Sequence, residues 1–163
     1  MKGSTMALYT PSYSPNGKEV AVFDTSKGTI KASLAGVDSP IHVGNFIELA
    51  QKGFYDGLTF HRYVPGFVIQ GGCPQGTGTG GPGYSIKQEY TTNPNNVHHK
   101  GALAMARSAM PDSAGSQFYF CLEAQPSLDS GYTVFGQTLE GLDVISQLRG
   151  GDKINSIVIE NAN

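Results

Sequence analysis

The residues best placed by type and spacing to do chemistry form one short run. Phe60-His61-Arg62-Tyr63-Val64-Pro65-Gly66-Phe67-Val68-Ile69-Gln70-Gly71-Gly72 sets a single cation among aromatic and aliphatic side chains. A second run, Gln117-Phe118-Tyr119-Phe120, does the same with an amide. Successive side chains of a strand point to opposite faces, so Gln117 and Tyr119 share one face and Phe118 and Phe120 the other. Val68 and Gln70 share a face by the same rule. One face can line a pocket while the other fills a core. By period alone, both runs also describe amphipathic strands with a wet side.

Other motifs carry less. Gly78-Thr79-Gly80-Gly81-Pro82-Gly83 fits the glycine pattern of dinucleotide sites, but that site needs a strand before it and a helix N-terminus after it. Here more glycine precedes it and Pro82 interrupts it, so a surface loop is expected. His98 and His99 are adjacent and point in different directions, with no nearby ligand to complete a metal set. Ser116 does not sit in a nucleophile elbow, and no carboxylate pair stands out for acid–base work. No cofactor and no metal are expected.

The elements that must position these runs are short. The chain has 163 residues, 39% hydrophobic and 15% charged, enough for one core without staples. Its net charge of −2 gives no strong pull toward nucleic acid or an anionic membrane. No stretch reads as a secretory leader or a membrane span. Cys73 and Cys121 lie far apart without ligand spacing, which favours two free thiols in a reducing cytoplasm.

Strands are expected over 20–23 and 29–34, joined by a turn at Ser26-Lys27-Gly28. A helix follows, capped by Asp38 or Ser39, with Pro40 in its first turn, Val43, Ile47 and Ala50 on its apolar face and Gly53 as its stop. Further strands are expected over 58–62, 67–70, 103–106, 117–122, 133–137 and 154–159, with a second helix over 140–148. Many short strands and two helices suggest a closed β-barrel with helices over its open ends.

These segments resemble the cyclophilin family of peptidyl-prolyl isomerases. The matching stretches are Phe60-His61-Arg62 through Phe67, Gln70-Gly71-Gly72, Thr79-Gly80-Gly81, Gly101-Ala102-Leu103-Ala104-Met105-Ala106, Gly115-Ser116-Gln117-Phe118 and Val134-Phe135-Gly136. The likeness runs from about residue 20 to 159, leaving 1–15 as a flexible tail before a domain over 16–163. It implies a mainly β fold, a closed eight-stranded antiparallel barrel capped by two α-helices.

It also implies an activity, rotation about Xaa–Pro peptide bonds in proline-containing peptides and in unfolded or folding proteins. That bond has a barrier of about 18–20 kcal/mol. No covalent bond breaks, so neither nucleophile nor metal is needed. In the twisted state the proline nitrogen regains its lone pair, and a donor aimed at it binds that state better than the ground state. By resemblance Arg62 is the catalytic donor; an arginine stays protonated and offers several donors from one plane. Gln70 holds the arginine or contacts substrate. Phe67, Val68, Tyr119 and Leu128 line the proline pocket, Tyr132 stands at its edge, and Ala106, Arg107 and Gln117 lie along the peptide groove. His61 is read as structural. The loop 76–83 borders a second pocket.

The departures bear on ligands. Ser127 stands where many members have Trp, so cyclosporin binding should be weak. Tyr119 replaces a pocket Phe and brings a hydroxyl, Val68 replaces a Met, and Arg107 replaces a groove Asn and brings a charge. Such substitutions resemble bacterial cytosolic members, and a monomer is expected. A binding module that holds proline segments without turnover is the alternative function.

Overall fold

The computed structural model describes residues 8–161. Strand β1 (Glu19–Thr25) turns through Ser26 and Lys27 into β2 (Gly28–Leu34), with Thr25 facing Gly28. Helix α1 (Pro40–Gln51) follows, then β3 (Phe60–Val64), β4 (Val68–Gly71), β5 (Ala102–Met105) and β6 (Phe118–Cys121). A 3-10 turn at Pro126–Leu128 precedes β7 (Val134–Glu140), helix α2 (Leu142–Gln147) and β8 (Ile154–Asn161). The strands form one antiparallel sheet in the order β3-β4-β6-β5-β7-β2-β1-β8.

The strands expected from sequence are all present, with ends shifted by a few residues. Helix α2 starts later than expected, because β7 keeps pairing through Glu140 opposite Lys31 before Gly141 turns the chain at φ 101°. The expected closed barrel is met only in part: the ladder is an open, curled sheet. Its end strands β3 and β8 meet at one bridge, Thr59 to Lys153, flanked by 2.8 Å bonds from Gly57 N to Ile154 O and Phe60 N to Asp152 O.

Helix α1 begins at Pro40 with Ser39 in the cap position, but neither Ser39 nor Asp38 supplies the cap. The Ser39 hydroxyl donates to Val134 O at 2.9 Å instead. The orphan N–H groups of Ile41 and His42 donate to the Glu89 carboxylate at 3.0 and 2.7 Å. A helix N-terminus carries partial positive charge, so a remote buried carboxylate satisfies it as a local cap would. The tail expected over 1–15 is described in part. Residues 1–7 lie outside the described ones, while 8–15 form a strap on α1, where Ser12 N and Tyr13 N donate to Glu48 at 2.8 and 2.9 Å.

Two apolar clusters lie on opposite faces of the central strands. Inside the curl, Phe23, Phe46, Phe60, Phe118, Phe120 and Phe135 are fully buried. Truncating one such Phe to Ala costs about 3–5 kcal/mol. Outside it, Val68, Ala104, Tyr119, Cys121 and Val134 form a second cluster, with Phe67, Ala106, Leu128 and Tyr132 packed against it. The alternation expected for residues 117–120 therefore divides the two clusters.

Candidate functional site

A β-bulge aims Arg62. On β3, Phe60 faces Gly71 and Arg62 faces Gln70, so His61 is an extra residue in the ladder. In a regular strand Arg62 would share the face of Phe60 and point into the core. The bulge sends it outward beside Gln70, as bulges near functional sites do. Its Nη1 donates to Gln70 Oε1 at 3.2 Å. His61 stands aside: burial, then the neighbouring Arg62 charge, lowers its pKa, and its Nδ1 is buried without a partner.

From Arg62 a polar chain runs across the sheet. Gln70 Nε2 donates to Gln117 Oε1 at 2.9 Å, and Gln117 Nε2 donates to the carbonyls of Gly78 and Gly80 at 2.9 and 2.8 Å. A guanidinium only donates and a carbonyl only accepts, so the two ends dictate which way both amides point.

The chain separates two cavities. The smaller, of about 230 Å³, is lined by Arg62, Phe67, Val68, Gln70, Ala106, Arg107, Tyr119, Leu128 and Tyr132. Nine of the ten residues singled out from sequence thus meet around one hollow, in which Arg62, Gln70 and Arg107 stand among apolar side chains. The tenth, Gln117, lines the larger cavity of about 400 Å³, with Gln70, Ala106 and Arg107 shared between the two. The loop 78–83 forms one wall of the larger cavity, as expected of it.

The Tyr119 hydroxyl does not enter the pocket. It lies 2.9 Å from His98 Nε2, and His98 Nδ1 lies 2.9 Å from Asp129 Oδ1. The Asp129 carboxylate also accepts from His98 N at 2.7 Å. Asp129 is the acceptor opposite Nδ1, so His98 carries its proton there and Nε2 accepts a hydrogen bond from the Tyr119 hydroxyl. Burial raises the Tyr119 pKa far above the usual tyrosine range. Burial also lowers that of His98, partly offset by Asp129. The pocket floor on β6 is thereby tied to the turn that carries Leu128. Sequence reasoning missed this chain. It set His98 aside as half of a His pair, and nothing local in sequence links positions 98, 119 and 129.

The loop of the larger cavity hangs on a thiol. Gly78 N and Gly80 N donate to Cys73 Sγ at 3.3 and 3.2 Å. Burial opposes ionisation of Cys73, but the N–H groups of Gly80, Gly78, Thr77 and Gln75 outweigh it and lower the pKa to about 7. A Cβ at Gly80 would meet the Gln75 side chain, which is exposed and would have to swing aside. Among the described residues no group of three or more His, Cys, Asp or Glu is placed to hold a metal ion.

Residues 20–163 match the family model described as cyclophilin type peptidyl-prolyl cis-trans isomerase/CLD. A peptidyl-prolyl cis-trans isomerase of Synechococcus elongatus is 52% identical over 141 residues, covering 85% of this chain and 94% of the relative. Peptidyl-prolyl cis-trans isomerase B of Bacillus subtilis is 52% identical over 122 residues, covering 75% of this chain and 84% of the relative. A cyclophilin type isomerase of Cryptosporidium parvum, crystallised in the presence of the dipeptide Ala-Pro, superposes with a TM-score of 0.81 at 29% identity. That match covers 88% of this chain and 99% of that one.

Proposed function

This chain belongs to the cyclophilin type peptidyl-prolyl cis-trans isomerases and is a peptidyl-prolyl cis-trans isomerase, and on that premise we propose how its residues divide the work. The smaller cavity takes the proline ring, with Phe67, Val68, Tyr119, Leu128 and Tyr132 as its apolar walls. Arg62, at its rim, donates to the proline nitrogen as the amide twists and conjugation is lost. Gln70 holds the guanidinium in place, and Gln117 holds Gln70. Ala106, Arg107 and Gln117 border the path of the extended chain into the larger cavity. The observation that carries this reading is the Arg62 guanidinium, braced by the Gln70 amide, at the rim of a hollow walled by Phe67, Val68, Tyr119, Leu128 and Tyr132.

Cis-to-trans conversion of an Ala–Pro test peptide, measured for wild type and Arg62→Ala, tests it. A donor aimed at the transition state is worth about 10²–10³ in rate. Loss of that size supports the assignment, and an Arg62→Ala variant as fast as wild type removes it.

The same proposal extends to partners and place. Its clients are unfolded or folding proteins that expose Xaa–Pro bonds. Ser127 is exposed at the pocket turn and offers little apolar contact, which supports weak cyclosporin binding. Cys73 and Cys121 are free and buried, which supports a cytoplasmic setting. No described helix is long and apolar enough to cross a membrane. The exposed Val37, Met110, Leu139 and Val158 lie on separate segments, which supports a monomer. The net charge of −2 favours neither nucleic acid nor membrane as partner.

A further inference from the structure

Arg107 stands where the two cavities meet and lines both. Its Nε donates to Gly131 O at 2.7 Å and its Nη1 to Ser108 O at 2.9 Å. The guanidinium carbon lies 4.7 Å from the ring centroid of Tyr132 and 5.7 Å from that of Tyr90. These contacts fix the group without neutralising it. Its acceptors are backbone carbonyls, and its Nη2 has none among the described residues. The ion pairs among the described residues involve Lys27, His42, His98 and Lys100. Among the described residues that line the two cavities, Arg62 and Arg107 are the cations, and no Asp or Glu is present. On a chain of net charge −2, the groove is a local positive site.

An extended peptide advances about 3.3 Å per residue. A segment with its proline in the smaller cavity, continuing past Ala106, therefore comes level with Arg107 within two residues. Arg62 is committed to Gln70 and to the reacting amide; Arg107 is the cation left for the rest of the substrate. A guanidinium already held in one orientation loses little freedom when it binds an anion, and its fork suits carboxylate and phosphate alike. We infer that Arg107 selects substrates carrying an anionic side chain, carboxylate or phosphate, within two residues of the proline, on the side of the peptide that enters the glycine-lined cavity. This rests on the reading of the two cavities as the peptide site.

The test is a set of Xaa–Pro peptides differing at one position, with Glu, phosphoserine, Gln or Lys placed one or two residues before or after the proline. For wild type and Arg107→Gln, kcat/KM is measured on each peptide. On one side of the proline, Glu is favoured over Gln by about 3- to 10-fold and Lys is disfavoured. In Arg107→Gln the Glu-to-Gln ratio falls toward one, and in wild type it shrinks with added salt. Each ratio compares peptides on the same enzyme, so a loss of folded protein cancels. A phosphoserine preference without one for Glu keeps the anion site and assigns it to phosphorylated sequences.

The inference is overturned if neither anion is preferred, or if the preference is equal on both sides of the proline. It is also overturned if the preference survives Arg107→Gln, or if that change slows every peptide alike, which would make Arg107 a brace for the loop at Gly131. These results leave the peptide site standing as long as the Gln peptides are isomerised through Arg62. If Arg62→Ala changes nothing, the site reading fails and takes the inference with it.

Discussion

The two cavities that share Gln70, Ala106 and Arg107 are built by different means. The smaller is walled by side chains, and its floor is tied from behind through Tyr119, His98 and Asp129. One wall of the larger is the glycine-rich loop 78–83, which is held by one thiol and one amide. The proline ring has one shape, so a wall fixed by buried side chains suits it. The residues that flank a proline vary, and a wall of glycine backbone presents peptide groups rather than a shape. On the proposed assignment of the two cavities, the braced wall faces the constant part of the substrate and the glycine loop the variable part.

Removing His98 gives the largest expected effect on this contrast. His98→Ala leaves the buried Tyr119 hydroxyl without its acceptor, while Asp129 keeps the backbone N–H of residue 98, and opens a void behind the pocket floor. It should lower stability by about 2–4 kcal/mol and raise KM for an Ala–Pro peptide more than it lowers kcat. Urea unfolding and steady-state assays give the two numbers. With Tyr119→Phe already made, the same change should cost less, because the hydroxyl that needed an acceptor is gone. Additive costs would mean that the chain is incidental to the pocket floor.

On the other side, Gln117→Ala cuts the link between Gln70 and the glycine loop. Stability should change by about 1 kcal/mol, the usual net worth of a hydrogen bond. Amide exchange of Gly78 and Gly80 should speed up, and kcat/KM should fall by about 10-fold as Gln70 and Arg62 lose their brace. Unchanged exchange in the loop would show that Cys73 holds it alone, and the two walls would then share no support.

Sequence pattern reveals these two walls unequally, for physical reasons. Period-two alternation places Tyr119 on the pocket face and Phe118 and Phe120 in the core, because β6 is regular and both its faces are covered. The same rule applied to β3 fails. Counting from buried Phe60 turns Arg62 inward, and only the bulge at His61, which leaves no pattern in sequence, turns it out. The resemblance to cyclophilins identifies Arg62 without explaining its direction. Long-range pairings are equally invisible. Glu89 caps α1 from 47 residues past His42, and His98 meets partners 21 and 31 residues away. The Tyr119 hydroxyl was expected to alter the pocket's interior, since its side of the strand was legible but the acceptor behind it was not. Cys73 gave no sign of holding the loop, because a thiol accepting backbone N–H bonds depends on how glycines 78 and 80 fold back.

The smallest expected effect separates the two walls by pH. Burial lowers the folded pKa of His98, so below its unfolded value of about 6.5 the unfolded chain binds the proton more readily. The pocket wall therefore loses stability as pH falls below that value. Cys73 runs in a different window. Its folded pKa is near 7 because backbone N–H groups favour the thiolate, against about 8.5 for a free thiol. Between those values the unfolded chain again holds more protons at this thiol, so the Cys73 contribution to stability rises with pH from about 7 to about 8.5 and is constant beyond. Cys73→Ser keeps an acceptor for the loop but cannot titrate there. In urea unfolding across pH 5 to 9, it should remove the rise above pH 7 and leave the loss below 6.5 unchanged. His98→Ala should do the reverse. If Cys73→Ser leaves the upper rise intact, the loop is not held by an ionising thiol, and its wall is closer in kind to the pocket's than the bond pattern implies.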